Sequence, residues 1–160
     1  MDLQLSGKRA LVSAGHKGLG HAIATRLLEE GAAVAICCRR QDELDEAVES
    51  LGALGTVDGQ ICDFSDPDAV QAWVATAGEA LGGIDICIGN ASASGQRGEG
   101  PQPWQNSFAV DILGTAMFYE AAKPFLVESD AAAIVQIATI TAIEHHDVPI
   151  SPSYGASKAA

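Results

Sequence analysis

The sequence predicts one α/β domain over residues 1–160, in which a parallel β-sheet lies between helices. Short apolar segments of strand length alternate with helical segments of ten residues or more, and strands separated in this way pair in parallel. A glycine-rich segment, SAGHKGLG at 13–20, follows the first apolar segment and opens the first helical one. A chain of 160 residues, 48% of them apolar, is long enough to bury a core of its own.

Each element has its own signal. Apolar segments bounded by turn residues predict strands at 8–14, 32–38, 56–62, 84–89 and 131–139. Apolar residues at helical spacing predict helices at 19–31, 41–52, 65–81 and 104–126, and a last helix that carries Tyr154. Gly31 marks the end of the first helix, and Pro67 lies near the start of the third.

Composition and charge narrow the possible partners and location. The net charge of −12 would repel the phosphates of nucleic acids and the surface of anionic membranes, so we expect neither as a partner. The N-terminal segment has no apolar core of a signal peptide, and no apolar stretch is long enough to span a bilayer. The four cysteines fit neither a zinc pattern nor a disulfide framework, which predicts reduced thiols and a cytoplasmic protein.

The glycine-rich segment is suited to bind a pyrophosphate. Gly15, Gly18 and Gly20 allow a tight turn and a close approach of the backbone, and the N-terminus of the next helix offers unpaired N–H groups. The alternative is an ordinary glycine turn between a strand and a helix. The spacing of the glycines does not by itself decide between the two.

Five motifs, in order and on the predicted elements, decide in favour of a nucleotide site. The sequence SAGHKGLG is similar to the TGxxxGxG motif of the short-chain dehydrogenase/reductase family, with Ser13 for threonine and Ala14 for the first glycine. The motifs CDFSD (62–66), GNAS (89–92), QIATITA (136–142) and YGASK (154–158) also resemble family motifs. This resemblance implies a Rossmann-type, doubly wound sheet with strand order 3-2-1-4-5.

The resemblance also implies which residues bind the cofactor. The implied residues are Ser13, Gly15, His16, Lys17, Gly18, Leu19, Gly20, Asp63, Phe64, Asn90, Ala91, Tyr154 and Lys158. Arg39 and Arg40 follow the second strand, at the point where an acidic residue would bind the ribose of NAD. Because guanidinium groups suit a 2′-phosphate, and Lys17 adds a third cation, we expect NADP(H) rather than NAD(H). The alternative is that both arginines are solvated.

Tyr154 and Lys158 are four residues apart and therefore share one helix face. A free tyrosine titrates near ~10, and a nearby ammonium group favours its phenolate. By resemblance, Tyr154 is the proton donor, Lys158 also binds the nicotinamide ribose, and Thr139 holds the substrate oxygen, with Thr141 as the alternative. Asp111 stands at the position of the asparagine that helps the family hold a proton-relay water.

The predicted function is NADP-dependent interconversion of a carbonyl and an alcohol, with a 3-oxoacyl thioester or another small ketone as substrate. Several motif positions are changed, which leaves a non-catalytic nucleotide-binding sensor or scaffold as the alternative.

Helix 104–126 has more apolar residues than one buried face requires, which predicts a subunit contact. The resemblance implies a homodimer or a homotetramer. His145, His146 and Asp147 invite a metal interpretation, but adjacent histidines point apart and no metal site is expected.

By resemblance, a family member continues for roughly a hundred residues beyond the YxxxK motif, which is within the range of one domain. We therefore expect a fragment that lacks the C-terminal strands and the substrate side. Such a fragment would leave the fifth strand as an open apolar edge. It would bind NADPH weakly and catalyse nothing measurable.

Overall fold

The computed structural model describes residues 3–93, 99–143 and 151–160, and its centre is a five-stranded parallel sheet. The strands are β1 (Arg9–Val12), β2 (Ala33–Cys38), β3 (Val57–Ile61), β4 (Ile86–Gly89) and β5 (Ala133–Gln136). Their order in the sheet is β3-β2-β1-β4-β5, which confirms the predicted topology. The order reverses between β1 and β4, so the carboxyl ends of these two strands form the crevice in which such sheets bind ligands.

Helices cover both faces of the sheet. They are α1 (Gly18–Glu29), α2 (Gln41–Gly52), α3 (Pro67–Leu81), α4 (Gln102–Ser107), α5 (Thr115–Val127) and α6 (Pro152–Ala159). α1 and α2 bury Leu28, Leu44 and Leu51 on one face, whereas α3 and α5 bury Trp73 and Phe118 on the other. The two apolar layers provide the burial that holds a doubly wound sheet together.

The prediction of a single α-helix over 104–126 is wrong, because the helix is not α-helical throughout. A π-helical segment, Phe108–Gly114, joins α4 to α5. A glycine is required at the end of this segment, because a Cβ atom on Gly114 would lie 2.1 Å from the carbonyl oxygen of Phe64. The π-helical segment contains Asp111, and π-helical turns are frequent at functional sites.

β5 forms the outer edge of the sheet in the described part of the chain. It pairs with β4, and all four of its residues are exposed, including Ile134 and Val135. This agrees with the expectation of an open apolar edge. The cysteines at 37, 38, 62 and 87 are free and buried. No helix in the described ranges is long and apolar enough to cross a membrane.

Candidate active site

Ser13 joins the ends of β1 and β4 at the crevice. Its hydroxyl oxygen accepts hydrogen bonds from the backbone N–H groups of Asn90 (2.8 Å) and Ala91 (2.9 Å). The Asn90 amide in turn donates to the carbonyl oxygens of Ser13 and Ala14, at 3.0 and 3.2 Å. Ser13 is fully buried and does not line the pocket described below. Its hydroxyl therefore fixes the segment after β4 against the glycine loop and does not face the pocket.

The glycine loop passes close to these groups. A Cβ atom on Gly20 would lie 2.5 Å from both the Ala14 carbonyl oxygen and the Asn90 amide nitrogen, so no side chain fits there. Gly18 has a φ of +57°, which favours glycine, and begins α1. Ala14 has a φ of +52° although it carries a Cβ. A residue with a side chain is strained in this conformation, so alanine has a structural cost at this position.

A pocket of about 680 Å³ opens at this crevice. It brings together eight of the predicted cofactor residues, namely His16, Lys17, Arg39, Arg40, Asp63, Phe64, Asn90 and Ala91. Gly15 lies buried against Ile36 beneath the loop, and Leu19 is exposed in the first turn of α1. Predicted residues of the first three motifs, together with Arg39 and Arg40, thus converge on one end of the sheet.

We call Lys17, Arg39 and Arg40 the basic cluster. Lys17 and Arg40 both form ion pairs with Glu43 in the first turn of α2, at 3.2 and 3.6 Å. Arg40 also pairs with Asp42. No ion pair or hydrogen bond of the Arg39 side chain is formed within the described residues.

His16 lies beside the basic cluster. Burial, and secondarily the charge of Lys17, lower its pKa, so the ring is mainly neutral at pH 7. Its Nε2 lies 3.0 Å from a Glu43 carboxylate oxygen, which assigns the proton to Nε2. Nδ1 is then a buried acceptor that has no hydrogen-bond partner in the described structure.

Asp63 and Phe64 follow β3 at the far side of the pocket. Oδ1 of Asp63 accepts hydrogen bonds from the backbone N–H and the hydroxyl of Ser65, which fixes the turn. The Phe64 ring packs edge-on against Trp73, with ring centres 6.0 Å apart, and against Phe118 at 5.8 Å. This aromatic cluster makes one wall of the pocket rigid and apolar.

Asp111 and Lys158 form a buried ion pair. Nζ of Lys158 lies 3.6 Å from Oδ1 of Asp111 and donates a hydrogen bond to the carbonyl oxygen of Ile137 at 3.2 Å. Oδ2 of Asp111 accepts from the Ser157 hydroxyl at 3.2 Å, and Oδ1 accepts from the Ala93 N–H at 3.3 Å. Asp111 therefore links the π-helical segment, the end of β4 and α6.

The two threonine candidates lie together. The hydroxyl oxygens of Thr139 and Thr141 are 3.1 Å apart, and Thr141 is the more buried of the two. The structure thus keeps both as candidates. The Tyr154 ring is half-buried at the start of α6, and no hydrogen bond joins its hydroxyl to Lys158 or Thr139 within the described residues. A second cavity of about 280 Å³ is lined by Asp111, Lys158 and neighbouring residues.

Three contributors to the site were not predicted. Glu43 and Ser157 bind predicted residues, and Ile137 supplies a backbone carbonyl to Lys158. Ser157 lies inside the YGASK motif, and Glu43 lies three residues after Arg40, so sequence proximity was the one available signal. His145, His146 and Asp147 lie outside the described residues. Within the described ranges, no cluster of His, Cys, Asp and Glu is suited to a metal.

The profile of one protein family, described as short chain dehydrogenase, matches residues 8–160. The chain belongs to this family. Its curated relatives include isoepoxydon dehydrogenase patN of Penicillium expansum, with 33% identity over 160 residues, and dehydrogenase/reductase SDR family member 4 of Bos taurus, with 34% identity over 161 residues. The alignments cover 98% of this chain, but 61% and 57% of those relatives.

Solved structures of short-chain dehydrogenases have the same fold. L-Sorbose reductase from Gluconobacter frateurii, complexed with NADPH and L-sorbose, superposes with a TM-score of 0.91 at 27% identity. A short chain dehydrogenase from Burkholderia cenocepacia J2315 in complex with NADP superposes with a TM-score of 0.89 at 32% identity. These alignments cover 99% and 97% of this chain and 62% and 64% of those chains. The chain thus spans less than two thirds of the proteins it matches.

Proposed function

We propose that this short-chain dehydrogenase is an NADP(H)-dependent oxidoreductase that interconverts a carbonyl and an alcohol by hydride transfer. The observation that carries the proposal is the buried position of Lys158. Its side chain is 4% exposed and that of Asp111 is fully buried, at the carboxyl edge of the sheet. Removing an ammonium group from water is costly unless charged and polar partners compensate, and a protein that merely binds a nucleotide does not need it there. This weighs against the sensor or scaffold alternative.

The pocket residues fit NADP(H). The closely packed glycine loop excludes side chains and exposes the N-terminus of α1, which suits a pyrophosphate. Arg39 offers a guanidinium group for a 2′-phosphate. Nδ1 of His16, which has no hydrogen-bond partner among the described residues, is an acceptor for a hydroxyl group. The family neighbours crystallised with NADP or NADPH support the same choice.

The proposed chemistry assigns one task to each side chain. Bound NADPH supplies the hydride. Tyr154 donates its phenolic proton to the carbonyl oxygen of the substrate, and the hydroxyl of Thr139 or Thr141 binds the same oxygen. Lys158 supplies positive charge near the phenol and binds the ribose. Asp111 orients Lys158, a role that its two hydrogen bonds and its ion pair support.

We propose a small ketone or a 3-oxoacyl thioester as the substrate. The test is a panel of ketones and acyl thioesters, each incubated with the purified protein and NADPH while the absorbance of the cofactor is followed. Turnover of at least one of them supports the oxidoreductase. Tight binding of NADPH with no turnover across the panel favours the sensor or scaffold instead.

Cofactor preference is tested separately by measuring the dissociation constants of NADPH and NADH. We expect NADPH to bind more tightly, and we expect the double variant Arg39→Ala, Arg40→Ala to lose that preference while it keeps its affinity for NADH. Tighter binding of NADH by the unmodified protein would refute the NADP(H) assignment.

We also propose that the active protein is a homodimer or homotetramer. Trp104 and Phe108 share one helix face and are 52% and 57% exposed, as expected for residues of a subunit contact. Sedimentation of the unmodified protein and of Phe108→Ser at micromolar concentration tests this. A monomer in both cases contradicts it.

The proposed activity is that of the whole protein. We expect a polypeptide of residues 1–160 alone to bind NADPH weakly and to show no turnover, because β5 exposes its apolar side chains along the open edge of the described sheet. Soluble, monodisperse material with ordinary turnover would contradict this expectation.

A further inference from the structure

The Glu43 carboxylate lies against the basic cluster from the side of α2. Its oxygens are 3.0 Å from Nε2 of His16, 3.2 Å from Nζ of Lys17 and 3.6 Å from Nη1 of Arg40. The hydrogen bond from Lys17 lowers the pKa of Glu43, so the carboxylate is ionised at neutral pH. The carboxylate of Glu43 therefore forms ion pairs with two of the three cations of the basic cluster, Lys17 and Arg40.

Helix stabilisation does not account for these contacts. A carboxylate in the first turn is favoured by the helix dipole, but the neighbouring Asp42 already meets that need and pairs with Arg40. Glu43 instead lines the pocket, and its side chain is 28% exposed. Glu46 lies nearly one turn further along α2, is exposed, and forms no ion pair within the described residues. It therefore serves as a control for the charge of the helix.

We propose that Glu43 is a selectivity-determining residue, which competes with the 2′-phosphate of NADP(H) for Lys17 and Arg40 and leaves the binding of NAD(H) unaffected. This rests on the proposed function, because it requires that the pocket bind a nicotinamide dinucleotide. A phosphate and a carboxylate bind the same N–H donors and repel each other when both are ionised. NADP(H) must take these donors from Glu43, whereas NAD(H) presents a neutral hydroxyl at the same position.

Arg39 has a complementary role in this arrangement. It lines the same pocket, and its side chain has no ion pair or hydrogen bond within the described residues. Arg39 can thus bind a phosphate without giving up a partner among the described residues, whereas Lys17 and Arg40 must each exchange one. The preference for NADP(H) is then expected to be smaller than three cations suggest, and Glu43 would set the difference.

The test compares the unmodified protein with Glu43→Gln and with the matched control Glu46→Gln. Dissociation constants of NADPH, NADH and 2′,5′-ADP are measured by titration calorimetry, which requires no turnover. Glu43→Gln is expected to tighten NADPH and 2′,5′-ADP about 3- to 10-fold, the scale of one or two partly exposed ion pairs. It should leave the dissociation constant of NADH within about twofold. Glu46→Gln should leave the dissociation constants of all three ligands within about twofold, because the Glu46 carboxylate does not compete with any of them for the basic cluster.

Other outcomes overturn the proposal. NADPH affinity that is unchanged or weaker in Glu43→Gln means that Glu43 does not compete with the phosphate. Equal tightening of NADPH and NADH means a general effect of charge. If Glu43→Gln does not unfold cooperatively on heating, the variant is not folded and Glu43→Asp takes its place. Aspartate retracts the carboxylate by one methylene group, so Glu43→Asp must then tighten the binding of NADPH and not that of NADH. Failure of the unmodified protein to bind either cofactor refutes the proposed function itself.

Discussion

Asp111 lies 3.6 Å from Lys158, and both side chains are buried. The pair joins the π-helical segment to α6. Two further hydrogen bonds, from Ser157 and from the backbone of Ala93, reach the two oxygens of the carboxylate. Asp111 is therefore part of the packing between these elements as well as of the proposed site.

Replacement of Asp111 by alanine should destabilise the protein strongly. It leaves the Lys158 ammonium buried without a counter-charge, and breaking a buried pair in this way costs about 3–5 kcal/mol. Urea unfolding measures the change. The double variant Asp111→Ala, Lys158→Met should recover much of the loss, because it removes both charges. If the single and the double variant unfold at the same urea concentration, the pair does not stabilise the fold.

Replacement of Tyr154 by phenylalanine should reduce turnover by at least ~100-fold, the scale of general acid catalysis. The dissociation constant of NADPH should change little, since the phenol acts on the substrate. The matched control is Tyr119→Phe, because Tyr119 is the chain's other tyrosine and its hydroxyl binds Gln136 away from the pocket. Comparable turnover in the two variants would remove Tyr154 from its proposed role.

Replacement of Ala14 by glycine should raise stability. The φ of +52° at Ala14 costs a residue with a Cβ about 1–2 kcal/mol, and the added freedom of glycine in the unfolded chain returns about 0.4–1 kcal/mol of that. We expect a net gain of up to about 1 kcal/mol in the free energy of unfolding. The control Ala22→Gly, in the exposed part of α1, should instead lose about 1 kcal/mol. A loss in both variants would show that Ala14 is not strained.

Acid should weaken the fold through Asp85. The Arg9 guanidinium donates hydrogen bonds to both carboxylate oxygens, at 2.9 and 2.8 Å, and holds the pKa of Asp85 well below its usual range. Because the pKa is lower in the folded state, the stabilisation is complete above the unfolded value near ~4 and is lost as the pH falls below it. Asp85→Asn should lose about 2 kcal/mol at pH 7 and progressively less at lower pH.

The measurement for Asp85 is the free energy of unfolding at pH 7 and at pH values below ~4. Asp130→Asn is the control, because Asp130 is exposed and pairs with Lys8 at the same end of the sheet. It should change stability little at any pH. A difference between Asp85→Asn and the unmodified protein that does not depend on pH would contradict the linkage.

The sequence predicted the sheet well because each strand is a short apolar segment bounded by turn residues. The observed strands lie inside the predicted ranges and are shorter, since apolar residues continue into the turns beyond the hydrogen-bonded ladder. The π-helical segment was not predictable. Gly114 at its end lies against the Phe64 carbonyl, a contact that the tertiary fold creates and that no local sequence pattern indicates.

The site was predictable where motifs carry it and not where the backbone or a neighbouring element contributes. Arg40 and Glu43 are only three residues apart, but the contact between Lys17 and Glu43 depends on how the glycine loop lies over α2. The acceptor for Lys158 is the carbonyl of Ile137, and a main-chain oxygen leaves no trace in a pattern of side chains. The pairing of Thr139 with Thr141 likewise follows from a turn after β5.

The π-helical segment sets the rotation of α5 about its axis relative to α4. Ser107, Asp111, Phe118, Ala122 and Leu126 are all buried, and most of them are four positions apart. In an α-helix each residue advances about 100° around the axis, whereas a π-helical turn, with i→i+5 hydrogen bonds, takes an additional residue to complete the same rotation. Deletion of a single residue between Phe108 and Gly114 would therefore act at a distance, by turning the whole of α5 against α3.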